Sequence, residues 1–136
     1  MSHLKIYSST NEFHTDSGRV LKGLEIAYHF YGDLQDKERE TIWVCHALTA
    51  NSDPVDWWPG IAGDSFVLDT KRFNIICANI LGSCYGSTGP LHLNPDRGKP
   101  YYRDFPQLTV RDLVKAHILL ADHLAISKVD LLIGGS

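Results

Sequence analysis

The sequence predicts an α/β fold built on parallel strands, and two observations carry this prediction. First, three short runs of consecutive apolar residues occur at Thr41–Cys45, 73–80 and 129–133. Such runs are typical of parallel strands that are buried on both faces. Second, the pattern predicts a helix over 109–124, between the last two of these strands. A strand, a helix and a further strand in this order form the crossover unit of a parallel sheet.

The first 40 residues favour an antiparallel edge hairpin ahead of this unit. Strands are predicted over 13–18 and 24–31, joined by a turn around Ser17 and Gly18. The second strand alternates apolar and other residues, which suits an edge strand with one wet face. Its alternating apolar residues are Leu24, Ile26, Tyr28 and Phe30.

The predicted helix has a start signal and a regular apolar spacing. Thr109 followed by Asp112 fits the [ST]-x-x-[DE] pattern of an N-terminal cap, and Pro106 lies upstream, outside the helix. The residues that recur at helical spacing are Val110, Leu113, Val114, His117, Leu120, Ala121 and Leu124.

Composition is that of an ordinary globular protein. The chain is 43% hydrophobic and 21% charged, with a formal charge of −3. Its length of 136 residues is enough for one domain or part of one. The sequence has no Lys/Arg block, which argues against nucleic-acid binding. It has no apolar run near the about 20 residues of a membrane span, and no signal-peptide pattern at its start. Three cysteines without C-x-x-C spacing argue against a disulfide framework or a zinc site. We therefore expect a cytoplasmic enzyme.

The third apolar run leads into Gly134-Gly135-Ser136, the most informative part of the sequence. A strand followed by glycines and a serine fits the first half of a nucleophile elbow, the tight strand-to-helix turn of α/β-hydrolases. Glycines are needed there because side chains beside the serine would clash. The alternative is an ordinary Gly-rich turn. On these three residues alone both interpretations stay open.

A second candidate segment, His46-Ala47-Leu48-Thr49, follows directly on the first apolar run. In α/β-hydrolases the loop at this position supplies a backbone N–H to the oxyanion hole, which stabilises the tetrahedral intermediate. The alternative is an ordinary exit from a strand, with His46 as a hydrogen-bonded structural histidine.

The loop over 79–90 is rich in Gly, Ser and Thr and fits neither a P-loop nor a dinucleotide fingerprint. Cys84 in this loop is disfavoured as a nucleophile because no adjacent base or cation would lower its thiol pKa. The pair Trp57-Trp58 is expected to pack in the core or at its rim. All seven histidines precede Ser136, whereas the α/β-hydrolase triad runs Ser, Asp or Glu, then His. The catalytic acid and base are therefore expected downstream.

Taken together, these segments resemble the homoserine O-acetyltransferase family of the α/β-hydrolase superfamily. The resemblance rests on His46-Ala47-Leu48-Thr49, on Cys84-Tyr85-Gly86-Ser87-Thr88-Gly89-Pro90, on the segment over 105–112 and on Gly134-Gly135-Ser136. It covers nearly the whole chain, and the segment over 84–90 is its most specific part. Ala50 and Ser83 stand where the family usually has glycine, and Ala50 bears on the path of the first loop.

The resemblance implies a double displacement in which Ser136 is acetylated by acetyl-CoA and the L-homoserine hydroxyl then takes the acetyl group, in methionine biosynthesis. The Leu48 N–H would be one oxyanion donor, and an Arg that binds the substrate carboxylate is expected downstream. The resemblance implies no bound cofactor or metal, no nucleic-acid or membrane partner, and a cytoplasmic homodimer. Residues 1–136 would then be the N-terminal part of one α/β-hydrolase domain, with its lid and the C-terminal part of its core absent.

Three alternatives remain open at this point. The donor could be succinyl-CoA or the acceptor L-serine on the same scaffold. Water could be the acceptor, which would make the protein an α/β-hydrolase esterase. The chain could also be a non-catalytic fragment. We expect the 136 residues alone to lack transferase activity, because the base is missing, and to be poorly soluble, because the strand at 129–133 would be an exposed sheet edge.

Overall fold

The computed structural model describes residues 3–135, which form eleven short strands, two α-helices and one 3-10 turn. The strands are β1 Leu4–Ser8, β2 Phe13–His14, β3 Val20–Leu21, β4 Glu25–Tyr31, β5 Thr41–Cys45, β6 Ala62–Gly63, β7 Leu68–Asp69, β8 Asn74–Ala78, β9 Leu93–Asn94, β10 Lys99–Pro100 and β11 Leu131–Gly134. The helices are α1 Pro54–Trp57 and α2 Val110–His123, and the 3-10 turn is Tyr102–Asp104. Five strands form one sheet in the order β1-β4-β8-β5-β11.

The described residues divide into two compact units. The first unit consists of Tyr28–Ala78 with the described parts of Met1–Lys5 and Ile126–Ser136. In it β5 pairs in parallel with β8 on one side and with β11 on the other, whereas β4 pairs antiparallel with β8. The parallel pairing of the three predicted strands is therefore confirmed. β5 and β8 are buried as expected, whereas the expected burial of the third strand is wrong, because β11 is at the edge of the sheet and Leu131 and Leu132 are exposed.

One face of this sheet is covered by the chain segment between β5 and β8. The buried residues that form this core are Ile42, Val44, Ala62, Leu68, Ile75 and Cys77. The half-buried residues packed against them include Val55, Trp57, Trp58 and Ile133. Trp57 and Trp58 stack with ring centroids 5.2 Å apart, which confirms their expected place at the core.

The second unit, Ile6–Ala27 with Asn79–Ala125, contains α2 and two small hairpins, β2–β3 and β9–β10. Thr109 caps α2 in a capping box with Asp112, so the predicted start signal is confirmed. The buried residues of the helix are Asp112, Ala116 and Leu120, whereas Val110 and Val114 are exposed. The apolar residues of α2 therefore cover a wider part of its surface than the second unit buries.

The predicted hairpin between 13–18 and 24–31 is wrong in its pairing. β2 pairs with the two-residue strand β3 across a turn in which Gly18 has a positive φ of 81°. β4 instead lies between β1 and β8 in the large sheet. Because both of its faces are covered there, residues on both sides of its alternation are buried, for example Ala27 and Tyr28. The alternation therefore identified a strand but not its partner.

Candidate functional site

The parallel pairing of β5 and β11 brings two candidate segments to one edge of the sheet. The register aligns Leu131 with Ile42 and Gly134 with Cys45. Both strands end at this last pair, so the segment after Cys45 and the segment after Gly134 leave the sheet side by side. Loops at the carboxyl ends of parallel strands are where α/β sheets build their binding sites.

The register of this pair is fixed at its start by Asp130. The Thr41 amide donates a hydrogen bond to Asp130 Oδ2 at 2.8 Å, and the Asp130 amide donates to the Thr41 carbonyl oxygen at 2.8 Å. The hydrogen bond from Lys128, followed by that from the Thr41 amide, lowers the pKa of the Asp130 carboxyl. The carboxylate is therefore charged at neutral pH and suited to accept the amide hydrogen bond.

The two glycines at the end of β11 lie against β5 and against Trp58, the residue that follows α1. A Cβ atom on Gly134 would lie 3.2 Å from both the Cβ and the carbonyl oxygen of Cys45, which is tighter than most real contacts. A Cβ on Gly135 would meet the Trp58 ring at 3.6 Å, an ordinary contact. Glycine at position 134 therefore serves the close approach of the two strand ends. The predicted nucleophile, Ser136, lies outside the described residues.

Residues 46–53, which we call the β5 exit loop, contain a turn that presents Leu48 to solvent. The Ala50 amide donates to the Ala47 carbonyl oxygen at 3.0 Å, so Leu48 and Thr49 are the central residues of this turn. The Leu48 side chain is 97% exposed. Within the range 3–135, no group accepts a hydrogen bond from the Leu48 amide. This amide is therefore available to an acceptor outside the protein.

Backbone conformation explains how alanine is tolerated at position 50. Among the described residues other than glycine, positive φ angles occur only at Ser65, Tyr102 and Ala125. Ala50 thus lies outside the left-handed region that favours glycine. The same holds for Ser83, the other position at which the chain departs from the family pattern.

The start of the β5 exit loop is held by hydrogen bonds of His46. The ring nitrogen Nδ1 of His46 lies 2.9 Å from the Ala47 carbonyl oxygen. Burial raises the pKa of the Cys77 thiol to about 12, and the His46 backbone forms a hydrogen bond with this thiol. Both contacts fit the structural interpretation of His46.

The end of the same loop is held by two side chains of β4. His29 Nδ1 lies 2.8 Å from Ser52 Oγ, and the Tyr31 hydroxyl donates to Asp53 Oδ1 at 2.7 Å. His29 Nε2 lies 3.6 Å from Asp53 Oδ2. Sequence reasoning missed both β4 residues, although their two-residue spacing places them on the same face of the strand.

The serine, histidine and aspartate of this cluster do not form a catalytic triad. Ser52 is fully buried, so its hydroxyl is closed to a substrate. The 3.6 Å between His29 Nε2 and Asp53 Oδ2 is longer than a hydrogen bond. Burial lowers the pKa of His29, against the opposing effect of Asp53. The ring is therefore neutral at pH 7 and acts here as a hydrogen-bonding partner.

The loop over 79–90 belongs to the second unit and is shaped by its own side chains. Asn79 Nδ2 donates to the carbonyl oxygens of Ala27 and Tyr85, and Ser87 Oγ donates to the Asn79 carbonyl oxygen. Gly86 has a φ of 104°, and a Cβ on it would lie 2.9 Å from the Ala27 Cβ. Cys84 is exposed. Serine and glycine at these positions are therefore explained by the shape of the loop.

The described residues contain neither a metal-binding cluster nor a membrane-spanning helix. No group of three or more His, Cys, Asp or Glu residues within 3–135 is arranged to hold a metal ion. None of the helices in that range is long and apolar enough to cross a membrane.

Comparison with solved structures identifies the class of fold. Homoserine O-acetyltransferase from Bacillus anthracis superposes with a TM-score of 0.84 at 26% identity, over 100% of this chain and 41% of the solved one. Esterase E22 superposes with a TM-score of 0.83 at 32% identity, over 98% of this chain and 40% of the solved one. The chain has the α/β-hydrolase fold.

Sequence comparison narrows this class. The chain is 45% identical to homoserine O-acetyltransferase from Chlorobium luteolum over 132 residues, which is 97% of this chain and 37% of the relative. No family model matches the chain. The chain is thus a relative of the homoserine O-acetyltransferases, as its motifs predict, and spans somewhat over a third of their length.

Proposed function

We propose that this chain is the N-terminal part of a longer homoserine O-acetyltransferase, which transfers acetyl from acetyl-CoA to L-homoserine. The observation that carries the proposal is the 45% identity to a homoserine O-acetyltransferase over 97% of the chain. The identity to the esterase E22 is 32%, so the transferase is the better supported of the two activities. The lid and the C-terminal part of the core would follow Ser136, as would the catalytic Asp and His and an Arg for the substrate carboxylate.

In the proposed reaction the Ser136 hydroxyl attacks the thioester carbonyl carbon of acetyl-CoA and passes its proton to the downstream histidine. The C–S bond breaks, and the CoA thiolate takes that proton. The homoserine hydroxyl then attacks the acetyl ester and gives its proton to the histidine, which returns one to Ser136 as the ester bond breaks. Splitting the transfer into two steps in this way is nucleophilic catalysis.

The Leu48 amide would stabilise the oxyanion of both tetrahedral intermediates. Three features support this role: the amide has no acceptor among the described residues, it lies on the loop that leaves β5, and β5 ends opposite Gly134. The residue after Ser136 would supply the second donor. Removal of one such donor lowers kcat by about 10²–10³-fold in comparable sites.

We further propose a cytoplasmic homodimer in methionine biosynthesis, with no bound cofactor and acetyl-CoA as a co-substrate. The relatives' name supports the acetyl donor and the homoserine acceptor. Succinyl-CoA and L-serine are the competing donor and acceptor, and each is tested directly below.

The first experiment measures the intact mass of the natural protein and then its activity. A mass well above 15.2 kDa is expected, because the proposed catalytic Asp and His would follow Ser136 in the chain. The complete protein is assayed for CoA release and for O-acetylhomoserine by mass spectrometry, with acetyl-CoA or succinyl-CoA and with L-homoserine or L-serine. Peptide mass spectrometry then locates the acetyl group on the trapped intermediate.

We expect acetyl-CoA and L-homoserine to be the preferred pair and the acetyl group to be on Ser136. Ser136→Ala should abolish CoA release, whereas Ser127→Ala, which changes an exposed serine ahead of β11, should leave it unchanged. Hydrolysis of acetyl-CoA without O-acetylhomoserine would favour the esterase, and a preference for succinyl-CoA would contradict the acetyl assignment. Activity of the 136 residues alone would refute the requirement for a downstream acid and base.

A further inference from the structure

We propose that His29 and Tyr31 are positioning residues that hold the β5 exit loop so that the Leu48 amide faces the reacting carbonyl. This inference rests on the proposed function, because it assigns the Leu48 amide a role in acyl transfer. It goes beyond that function because neither β4 residue belongs to the proposed catalytic group. The contacts that carry it lie within the first unit.

The β5 exit loop is fixed at two points, and β4 supplies the second. Its first residues continue from Cys45, which is fixed by the pairing of β5 with β11. Its last residues, Ser52 and Asp53, are hydrogen-bonded to His29 and Tyr31, which precede them by more than 20 positions in the chain. A short loop that is held at both ends has few conformations open to the turn between them.

Local hydrogen bonds connect Asp53 with the turn that contains Leu48. The Asp53 amide donates to Asn51 Oδ1 at 2.8 Å, and Trp57 Nε1 donates to the Asn51 carbonyl oxygen at 2.8 Å. Asn51 directly follows Ala50, whose amide closes the turn that contains Leu48. A shift of Asp53 would therefore be transmitted to Leu48 over a few residues.

The His29 and Tyr31 side chains are themselves held in place. Their rings stack with centroids 6.4 Å apart and planes 15° from parallel. The His3 ring centroid lies 4.3 Å from that of the Tyr31 ring. Only 13% of the His29 side chain is exposed. Rigid supports of this kind are what a site needs when an error of about 1 Å in geometry costs up to 10²-fold in rate.

The test uses three variants of the complete protein. Tyr31→Phe removes the hydroxyl that binds Asp53 and keeps the ring. His29→Phe removes the contact with Ser52, and His29→Asn restores a hydrogen-bonding group near the position of Nδ1. Tyr102→Phe is the matched control, because Tyr102 is 60% exposed and belongs to the second unit.

The readouts are kcat and the KM for acetyl-CoA, each normalised to the folded fraction, together with hydrogen exchange of the peptide that contains residues 46–53. We expect Tyr31→Phe and His29→Phe to lower kcat by about 10- to 100-fold with little change in KM, since a displaced oxyanion donor acts on the transition state. Exchange in the β5 exit loop should become faster in both variants. His29→Asn should recover most of the loss, and Tyr102→Phe should leave kcat unchanged.

An unchanged kcat per folded molecule in both variants, with only a lowered Tm, would overturn the inference, because a purely structural contact predicts that result. Unchanged exchange of the β5 exit loop would overturn it as well. Failure of the proposed function is distinguishable. If the unsubstituted protein makes no O-acetylhomoserine, the rate of p-nitrophenyl acetate hydrolysis replaces kcat and the same variants are compared. If it hydrolyses no ester, hydrogen exchange alone decides whether His29 and Tyr31 hold the loop.

Discussion

Asp112 is a buried charged residue of the second unit, and its contacts predict a large contribution to stability. Its side chain is fully buried at the start of α2. Its two oxygens accept hydrogen bonds from the Asp16 amide at 3.0 Å and from the Thr109 amide at 3.0 Å, and Lys115 Nζ lies 2.9 Å away. One carboxylate thus accepts hydrogen bonds from a backbone amide at the start of the helix and from another in a loop almost 100 residues earlier in the chain.

Replacement of Asp112 separates these contributions. Asp112→Ala leaves two amides without acceptors, each at about 1–3 kcal/mol, so we expect a loss of about 3–5 kcal/mol once non-additivity is allowed for. Asp112→Asn keeps one acceptor oxygen and turns the other into a donor, so we expect about 2 kcal/mol. Asp122→Asn, on the exposed side of the same helix, should change stability by less than about 0.5 kcal/mol.

The pH dependence of stability gives a second readout. Burial alone would raise the pKa of Asp112, but the hydrogen bonds from Lys115 and from the Thr109 and Asp16 amides outweigh it and lower the pKa to about 2. Because the folded-state pKa is below the ordinary 3.8, this stabilisation is present above pH 3.8. It is lost as the pH falls from 3.8 through about 2.

Urea unfolding at several pH values measures both effects. The free energy of unfolding should fall for the two Asp112 variants at neutral pH, with unchanged m-values. The difference between Asp112→Asn and the unsubstituted protein should shrink as the pH falls toward 2. Variants as stable as the Asp122→Asn control at neutral pH would refute the role assigned to Asp112, and so would a difference that does not change with pH.

Two further predictions concern side-chain volume and use the same unfolding measurement. Gly134→Ala should cost about 1–3 kcal/mol, because its Cβ would lie 3.2 Å from the Cβ and carbonyl oxygen of Cys45, whereas Gly135→Ala should cost less than about 1 kcal/mol. Equal losses would contradict the close strand contact. Leu120→Ala, at a fully buried position of α2, should cost about 2–5 kcal/mol, and Ile118→Ala, at a position that is 53% exposed, less than about 1 kcal/mol. Similar losses at the two positions would refute the assignment of the buried face.

Buried strands and the helix start are the parts of the fold that the sequence predicts best. Thr41–Cys45 is a strand with the predicted bounds, and α2 begins after the predicted cap Thr109. Both signals are local: a continuous apolar run reflects burial on two faces, and a capping box is made by residues three positions apart. Such local signals can be read from the sequence because they do not depend on which distant parts of the chain pack against them.

The pairing of β4 could not be predicted in the same way. Alternation describes a strand's faces but not its neighbours, and sequence proximity favoured a hairpin with 13–18. In the fold β4 pairs with β8, more than 40 residues later, with Tyr28 opposite Ala78. This non-local pairing satisfies the backbone of a strand that has buried residues on both of its faces.

In the candidate site, too, local features are predictable from the sequence and non-local contacts are not. The motif around Leu48 and the one around Gly134 are visible in the sequence because each is contiguous. The support from His29 and Tyr31 is not visible, because it depends on the β5 exit loop returning past β8 to reach β4. A histidine and a tyrosine two positions apart on a strand carry no signal for that route.

The register of β5 and β11 is the property that turns two motifs almost 90 residues apart into one site. A shift of one residue would move the end of β11 by about 3.3 Å and place its side chains on the opposite face of the sheet. A shift of two would preserve the faces but displace Gly135 by about 6.6 Å from the exit of β5, beyond the reach of a single oxyanion. Asp130 prevents both shifts through its paired hydrogen bonds with Thr41. The close contact of Gly134 with Cys45 favours a residue without a side chain at the last paired position of β11. The same register therefore specifies both the sheet and the alignment of the end of β11 with the start of the β5 exit loop.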